Sequence, residues 1–215
     1  MKAIKVEIRK NEKLDFGLYA LTDIAEGEEI FVEQSKVFHK LTVEDMLKSA
    51  GDACFLVEKI IRNPKMGREF NRFDLKRNRT SDIKIGADDK FYLMRISNKY
   101  NVDYLEVYEI WQIVISYYIT LFYEGSDPKL QMSQLCNRLN HSCDPNSSII
   151  ANTTSLKKFN KNEATCVALR PIKKAEELTI WYLSKSHAFL DIEKRRSALL
   201  NCYGFLCLCK SCIAE

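Results

Sequence analysis

The segment Asn140-His141-Ser142-Cys143-Asp144-Pro145-Asn146 carries the most structural information in this chain. Its Asp-Pro-Asn portion favours a tight reversal, and its small polar residues can hydrogen-bond to their own backbone. His141 and Cys143 would suit a base and a nucleophile, but such a pair needs a third group to orient the base. No such group lies near them in the sequence, so thiol catalysis is not expected.

A second informative segment, Cys207-Leu208-Cys209-Lys210-Ser211-Cys212, lies further along the chain. Three thiols this close together can converge on one tetrahedral ion, and Zn²⁺ is the usual partner of thiolates. We expect a structural ion, because no carboxylate that could act as a general base is adjacent in the sequence. A structural zinc site needs a fourth ligand, and spacing leaves several candidates open: Cys54, Cys136, Cys143, Cys166, Cys202 or a histidine.

The composition is that of an ordinary globular protein. The chain has 215 residues, of which 46% are hydrophobic and 29% are charged, enough to bury one core and to carry an attached subdomain. The net charge of +4 is mild and fits either solubility or an acidic partner surface. The basic residues between 65 and 79 have only their charge to suggest nucleic acid, so a direct nucleic-acid ligand is not expected.

The sequence favours a protein without a membrane segment. The N-terminal residues MKAIKVEIRK lack the apolar core of a signal peptide. Residues 110–123 are apolar but too few to cross a bilayer, and they include Gln112 and Ser116. Eight cysteines without a signal peptide predict a reducing compartment. The nucleus and the cytoplasm both fit, because the basic cluster Lys76-Arg77-Asn78-Arg79 is too weak an import signal to choose between them.

Short strands are predicted at both ends of the chain, with helices between them. The strand candidates are residues 4–8, 17–20, 29–33, 147–151, 164–169 and 178–181, with a turn at Gly27. Helical patterns cover residues 42–63, 102–124 and 187–201, and Pro64 is expected to stop the first of these helices. Residues 65–90 are predicted to be a polar, irregular stretch. No internal repeat is apparent.

Taken in order, these segments resemble the SET-domain lysine methyltransferases that carry a zinc-binding post-SET segment. The similarity rests on five matches: Gly17-Leu18-Tyr19-Ala20, which is similar to an early turn of that family, then Glu26-Gly27-Glu28-Glu29-Ile30, Asn140-His141-Ser142-Cys143, Glu177-Leu178-Thr179-Ile180-Trp181-Tyr182, and the closing Cys-x-Cys-x-x-Cys. The run Tyr203-Gly204-Phe205-Leu206-Cys207-Leu208-Cys209 is most similar to the SMYD (SET and MYND) branch. Cys54 is the only cysteine between residues 35 and 130, so the MYND zinc finger of that branch is not expected.

The resemblance implies an α+β architecture. It implies a SET-type β-rich fold with a knot-like crossing, a helical insertion and a C-terminal zinc-binding post-SET segment. Residues 1–40 and 129–185 would form the two parts of the SET domain, with the cofactor-binding knot in the second part. Residues 41–128 would form the insertion, and residues 186–215 a helix followed by the post-SET segment.

The resemblance also implies roles for individual residues. S-adenosylmethionine would bind to Phe16, Gly17, Leu18, Tyr19, Asn137, Asn140, His141, Tyr182, Tyr203 and Phe205, with Phe205 against the adenine. Tyr182 and Tyr203 would be the catalytic residues, lining a channel for the substrate lysine. Cys143 would complete a structural zinc site with Cys207, Cys209 and Cys212.

The function implied by the resemblance is methyl transfer from S-adenosylmethionine to a lysine of a protein substrate, either a histone tail or another protein. The alternative is a catalytically inactive, zinc-stabilised SET-like interaction module. Three departures from the family pattern bear on that alternative. Asp15 and Phe16 stand in the cofactor loop, Ala175 replaces a usual glycine, and the asparagine that often contacts the cofactor has no clear counterpart near Ser116 or Tyr117.

Overall fold

The structure is a computed structural model that describes residues 5–11, 15–34, 36–40, 52–71, 85–117, 119–121, 129–151, 163–183 and 185–213. The chain divides into two compact units, one of residues 1–35, 81–83 and 134–215 and the other of residues 36–80 and 84–133. The mixture of strands and helices confirms the expected α+β class. The four-part division at residues 40, 128 and 185 stays a prediction.

Strands and helices are distributed as follows. The strands are β1 Val6–Asn11, β2 Asp15–Ala20, β3 Glu29–Gln34, β4 Lys36–Lys40, β5 Ile119–Leu121, β6 Lys129–Met132, β7 Asn140–His141, β8 Ser147–Ala151, β9 Glu163–Ala168 and β10 Glu177–Ile180. The helices are α1 Asp52–Arg62, α2 Pro64–Asn71, α3 Ala87–Tyr100, α4 Tyr104–Tyr117, α5 Ile192–Tyr203 and α6 Lys210–Ile213, with 3₁₀ turns at Cys136–Arg138 and Lys185–Phe189.

One sheet of the first unit joins segments that are far apart in sequence. Its described strands run in the order β1-β2-β10-β7. β10 pairs antiparallel with β2, opposing Leu178 to Leu18, and both leucines are fully buried. β10 also pairs in parallel with the two-residue strand β7, opposing Thr179 to Asn140. The sheet therefore places the β2 glycine and the Asn-His pair on either side of one central strand.

A second sheet of this unit has the order β3-β9-β8 and is antiparallel throughout. The central strand β9 contributes Ala164, Cys166 and Ala168 to the buried core. Thr165, on the opposite face, is buried as well, so both faces of β9 are covered at this point. This confirms the expectation of strands at both ends of the chain.

Two turns of the first unit repeat one pattern, which the sequence analysis does not recognise. Residues 24–28 and 172–176 are linked by a bridge between Ile24 and Ile172. In each turn a glutamate side chain accepts a hydrogen bond from the backbone N–H three residues earlier. Each turn also has a left-handed residue, Gly27 with φ 74° and Ala175 with φ 67°. The shared pattern extends over residues 24–28 and 172–176.

The second unit packs its helices through apolar residues at helical spacing. Within α1, Leu56, Val57 and Ile60 are buried, and they are joined by Leu93 of α3 and Val107 of α4. The Lys99 ammonium of α3 lies 2.7 Å from the Glu58 carboxylate of α1. The sheet of this unit has the order β4-β6-β5. None of the helices in the described part of the chain is both long and apolar enough to cross a bilayer.

The first predicted helix ends just before Pro64, as expected. Pro64 itself begins α2, because proline suits the first helical position, where its missing N–H is not needed. The Asn63 side chain accepts hydrogen bonds from the N–H groups of Lys65 and Met66 and caps the new helix. Residues 65–71 and 87–90 are therefore helical instead of irregular. The predicted helix start near residue 42 lies outside the described residues.

Two other helix boundaries also differ from the prediction. The helix predicted for residues 102–124 ends at Tyr117, and residues 119–121 form β5 because they pair with β6. The helix predicted for residues 187–201 begins at Ile192, after a 3₁₀ turn. Asp191 sets that start, because its side chain accepts a hydrogen bond from the Lys194 N–H at 2.8 Å.

Candidate active site

Aromatic rings from two other segments of the first unit converge on His141. Its ring centroid lies 5.5 Å from that of Trp181, 5.4 Å from that of Tyr182 and 6.2 Å from that of Phe205. The Tyr182 and Tyr203 centroids are 5.0 Å apart. The structure thus brings together four of the residues that sequence reasoning assigned to the cofactor and the lysine channel: His141, Tyr182, Tyr203 and Phe205.

Gly204 positions the last two of these rings. It ends α5 with φ 73° and a backbone hydrogen bond to the Leu200 carbonyl oxygen, a left-handed helix terminus for which glycine is favoured. The chain reverses there, and the Phe205 ring packs 6.5 Å from the Tyr203 ring. The reversal at Gly204 therefore helps to place the two rings together.

Both tyrosine hydroxyls donate to backbone carbonyl oxygens. The Tyr182 hydroxyl donates to Leu139 at 2.6 Å, and the Tyr203 hydroxyl donates to Tyr182 at 3.1 Å. A hydroxyl has one proton and two acceptor lone pairs. Toward a further polar group, each of these oxygens can therefore act only as an acceptor.

His141 is held as a neutral ring. Its Nδ1 accepts a hydrogen bond from the Tyr182 N–H at 3.1 Å, which puts the proton of a neutral imidazole on Nε2. Burial lowers the pKa of His141 to about 4, helped by the positive charge of Arg195. Nε2 lies 3.5 Å from the Cys143 sulfur and points a proton toward it. His141 is thus not arranged to remove a proton from Cys143.

Asn140 joins β2 to β10 through its side chain. Its Nδ2 donates to the Phe16 carbonyl oxygen at 3.1 Å and to Glu177 Oε1 at 2.7 Å. A Cβ atom on Gly17 would lie 2.5 Å from that same Oε1 and 3.1 Å from Nδ2. Gly17 therefore lies within a strand and is needed for a close approach. The strand expected at residues 17–20 is confirmed as part of β2.

The remaining predicted cofactor residues differ in what they can offer a ligand. Leu18 is fully buried, so only its backbone can bind, whereas the Phe16 ring is 36% exposed and lies under the Arg138 guanidinium at 5.2 Å. The Tyr19 ring lies under the Arg9 guanidinium at 5.2 Å. Both side-chain polar atoms of Asn137 are buried and have no hydrogen-bond partner among the described residues. A polar ligand could satisfy such atoms, which fits a bound cofactor here.

Sequence reasoning missed Glu33, which holds the segment before Asn140. Its carboxylate accepts hydrogen bonds from the N–H groups of Gln134, Leu135 and Cys136, at distances between 2.5 and 3.1 Å. These N–H groups begin a 3₁₀ turn and have no partner within it. Glu33 and Cys136 are 103 residues apart, so no local pattern could have revealed the contact.

Asn146 is the second residue that the sequence analysis overlooked. It is 1% exposed, and its side chain accepts from the Thr179 N–H and donates to the Glu177 carbonyl oxygen, both at 2.8 Å. It thereby supplies a side-chain partner to the backbone of β10, beside the short strand β7. The segment after Cys143 therefore forms the predicted reversal and also hydrogen-bonds to the backbone of β10.

Four cysteine sulfurs meet beside the rings. Those of Cys143, Cys207, Cys209 and Cys212 all lie within 4.8 Å of one another. Of the alternatives left open by spacing, Cys54, Cys136 and Cys166 lie outside this cluster, and the side chain of Cys202 is not among those described. The arrangement offers four soft ligands from two segments, as a tetrahedral zinc site requires.

The environment of the sulfurs alters their acidity in opposite directions. Burial raises the pKa of Cys143 to about 11. Burial also works against charge on Cys209, but hydrogen bonds from the Cys143 and Cys212 N–H groups and from the Cys207 and Cys212 thiols lower its pKa to about 7. Backbone N–H groups thus favour a thiolate at Cys209, which is the protonation state that binds metal.

Comparison with known proteins identifies the family. The sequence model of the SET domain matches residues 15–183. The chain belongs to the SET-domain family. Curated SET-domain relatives include a SET and MYND domain-containing protein of Dictyostelium discoideum, 38% identical over 78 residues, and the histone-lysine N-methyltransferases ATXR2 of Arabidopsis thaliana, 38% over 77 residues, and SMYD3 of Homo sapiens, 42% over 74 residues.

These matches are partial for both partners. They cover 35%, 36% and 34% of this chain, and 13%, 15% and 15% of the respective relatives. The chain therefore spans a small part of the length of the curated relatives that it matches. The resemblance to SET-domain methyltransferases of the SMYD type is confirmed at this level. The expected absence of a MYND finger stays a prediction.

Solved SET domains share the fold. The SET domain of LSMT bound to lysine and AdoHcy aligns with a TM-score of 0.63 over 96% of this chain and 54% of that chain, at 14% identity. The same domain bound to methyllysine and AdoHcy aligns with a TM-score of 0.58 over 97% and 54%, also at 14% identity. At this identity the similarity shows the fold alone, and it confirms the expected SET-type architecture.

Proposed function

We propose that this SET domain transfers a methyl group from S-adenosylmethionine to a lysine side chain of a protein substrate. The observation that carries the proposal is the contact between the Tyr182 and Tyr203 rings beside His141 and Phe205. Two of the relatives are named histone-lysine N-methyltransferases, and a structural neighbour was solved with lysine and AdoHcy. Both facts support the proposal.

The two tyrosines would prepare the substrate amine. A lysine amine has a pKa near 10.4 and is protonated at neutral pH, whereas only its neutral form has a lone pair for attack. Enclosure among aromatic rings removes water from the amine and favours loss of its proton to solvent. The hydroxyl oxygens of Tyr182 and Tyr203 would then accept hydrogen bonds from its N–H groups, which directs the lone pair away from them.

The cofactor would supply the methyl group as a sulfonium, and residues of β2 and β7 would bind it. Asn140, His141 and the backbone of residues 16–19 would hold it, with Phe205 against the adenine. The amide of Asn137 would gain the hydrogen bonds that it lacks among the described residues. Gly17 would keep β2 close enough to Asn140 for one ligand to contact both.

We further propose that Cys143, Cys207, Cys209 and Cys212 hold one structural Zn²⁺. The ion would tie the segment after α5 to the Asn-His segment, so that Tyr203 and Phe205 stay against Tyr182. The protein substrate, either a histone tail or another protein, remains a prediction. The nuclear or cytoplasmic location also remains a prediction.

The test compares cofactor binding with methyl transfer. Calorimetry should show S-adenosylmethionine binding, and radiolabelled transfer to a panel of lysine-containing proteins should be lost in Tyr182→Phe. Tyr92→Phe, which changes an α3 tyrosine outside the ring cluster, is the matched control and should leave transfer intact. A chain that binds no cofactor and labels no protein would contradict the proposal and favour the inactive interaction module.

A further inference from the structure

One arginine of α5 spans the two ends of the closing cysteine segment, residues 207–212. Arg196 donates from Nε to the Cys207 carbonyl oxygen at 3.1 Å and from Nη2 to the Cys212 carbonyl oxygen at 2.8 Å. Cys207 and Cys212 are the first and last cysteines of this segment, and both are almost fully buried. One guanidinium therefore holds the backbone at both ends of the segment that carries three of the four clustered sulfurs.

The chemistry of arginine suits this contact. Its guanidinium stays protonated and presents its N–H donors in fixed directions, so it can hold two acceptors at a set separation. Hydrogen bonds from a charged donor are stronger than those between neutral groups. The Cys212 carbonyl belongs to α6, and the last carbonyl groups of a helix lack a partner within it. A lysine at position 196 would supply the charge but not the fork.

Arg196 lies on the face of α5 that packs against the cysteine segment. Leu199 is fully buried and forms one apolar cluster with Cys207 and Cys212. Tyr203 packs against the same cluster. Residues three and four positions apart share one side of a helix. The same side of α5 therefore carries the polar contact, the apolar contact and one ring of the candidate active site.

The middle of the cysteine segment is held by its own backbone. The N–H groups of Cys212 and Ile213 donate to the Cys209 carbonyl oxygen at 2.9 and 3.2 Å. Together with the two bonds from Arg196, these contacts fix the backbone of all three cysteines without any contribution from an ion. Ligands that are already in place lose less conformational freedom when they bind, which strengthens binding.

We propose that Arg196 is a positioning residue of the four-cysteine site. By holding the carbonyl groups of Cys207 and Cys212, it places the sulfurs of these residues for the ion before the ion binds. This inference rests on the proposed zinc site. The ion then joins Cys143 to three ligands that α5 already holds.

The experiment measures metal binding by the full chain without reference to methyl transfer. Zn²⁺ affinity is obtained by competition with a chromophoric chelator for the wild type, Arg196→Met, Arg196→Lys and Lys194→Met. We expect Arg196→Met to bind Zn²⁺ about 10–100-fold more weakly, the range for residues that support metal ligands. Arg196→Lys should recover only part of the affinity, because it restores the charge without the fork. Lys194 is exposed and pairs with Asp191 on the surface of α5, so Lys194→Met is the control for loss of charge and should bind as the wild type does.

Cobalt substitution gives a second readout, which reports the geometry of the four sulfurs. Displaced ligands distort the tetrahedron, so the ligand-field bands of Co²⁺ should shift and broaden in Arg196→Met at saturating metal. They should be unchanged in Lys194→Met. A substitution that only destabilised the fold would lower the affinity but leave the bands of the loaded site as they are in the wild type. If Arg196→Met does not fold, Arg196→Lys decides, because it should show a smaller change in the same direction in both measurements.

The possible failures can be told apart. A wild-type chain that binds neither Zn²⁺ nor Co²⁺ overturns the metal site and this inference with it. Wild-type affinity and unchanged cobalt bands in Arg196→Met overturn the inference alone. Full wild-type affinity in Arg196→Lys, or an equal loss in Lys194→Met, also overturns it, because charge and not the position of the two carbonyl groups would then be the cause.

Discussion

The carboxylate of Glu177 occupies the space in which a side chain on Gly17 would begin. A Cβ atom at position 17 would lie 2.5 Å from Glu177 Oε1, and that oxygen accepts a hydrogen bond from Asn140 at 2.7 Å. The Glu177 carboxylate therefore links the need for glycine at position 17 of β2 to the position of Asn140. This relationship explains why a glycine is present in the middle of a strand, where it is ordinarily unfavourable.

Gly17→Ala should displace Glu177 and release Asn140. Inserting one methyl group into such a tight site costs about 1–3 kcal/mol, and we expect a fall of that size in the free energy of unfolding. Cofactor affinity should fall about tenfold or more, since a lost hydrogen bond to a charged group costs about 1.5–3 kcal/mol. Calorimetry and urea unfolding measure the two effects.

The matched variant is Gly17→Ala combined with Glu177→Asp. The shorter carboxylate makes room for the new methyl group, so the double variant should be more stable than the sum of the single effects predicts. Strict additivity, or unchanged cofactor affinity in Gly17→Ala, would argue against the link.

Tyr182→Phe removes the hydroxyl that donates to Leu139 at 2.6 Å while keeping the ring. We expect methyl transfer to fall about 100-fold, because catalysis is sensitive to the placement of the amine, whereas the cofactor dissociation constant should stay the same. Stability should drop by about 1 kcal/mol for the lost hydrogen bond. A proportional loss of transfer and cofactor binding would instead indicate a role in binding alone.

The two left-handed turn positions provide a pair of opposite substitutions. Ala175 has φ 67° and Gly27 has φ 74°, and a left-handed conformation costs about 1–2 kcal/mol in a residue with a side chain. Ala175→Gly should therefore raise the free energy of unfolding, by about 0.5–1 kcal/mol after the extra freedom of glycine in the unfolded chain is subtracted. Gly27→Ala should lower it by a similar amount, since nothing lies within 4 Å of the added Cβ. Equal signs in denaturant titrations would show that φ is not the cause.

A pH dependence is expected from the pair of Glu58 and Lys99 in the second unit. The side-chain hydrogen bond from Lys99 is the main cause that lowers the pKa of Glu58, although burial opposes it. A carboxyl whose pKa is lowered by folding stabilises the protein above its unfolded pKa and loses that contribution as the pH falls through the folded value. The contribution of so exposed a pair is small, because solvent screens the two charges.

The measurement compares unfolding at pH 7 and pH 3. Glu58→Gln and Lys99→Met should each reduce the loss in the free energy of unfolding between pH 7 and pH 3. The double variant should reduce that loss no further than either single variant does. If Glu58→Gln retains the wild-type slope, then other carboxylates account for the acid sensitivity.

Metal removal should affect the rings before the rest of the fold. Stripping Zn²⁺ with a chelator should loosen residues 203–213 and abolish methyl transfer, because the segment that carries Tyr203 and Phe205 loses its tie to Cys143. Hydrogen exchange should rise in this segment and stay low in α1 and α4. Full activity in a chain shown to be metal-free would contradict the proposed role of the ion.

The features that could be predicted from the sequence are those with short-range patterns. The Cys-x-Cys-x-x-Cys run and the segment after Asn140 each combine residue types at spacings that are typical of few other kinds of site. The helix start at Asp191 and the reversal at Gly204 also follow local rules. The sequence predicts the helix stop at Pro64 but not the helix that begins there, because a proline that ends one helix can begin the next.

The support of the site could not be predicted in this way. Glu33 binds N–H groups more than 100 residues away, and Asn146 clamps β10 across 31 to 33 residues. Each of these contacts depends on which strands become neighbours in the fold. A polar residue that makes such a long-range contact has no local sequence pattern that distinguishes it from a polar residue on the surface.

The sheet order β1-β2-β10-β7 also affects how the first unit folds. Phe16 and Asn140, which share a hydrogen bond, are 124 residues apart, and chains dominated by such distant pairings fold slowly because a long loop must close first. The helices of the second unit rely on nearer neighbours and can form early. Tyr203 and Phe205 follow all of the described strands along the chain, so the ring cluster can form only after those strands have been synthesised.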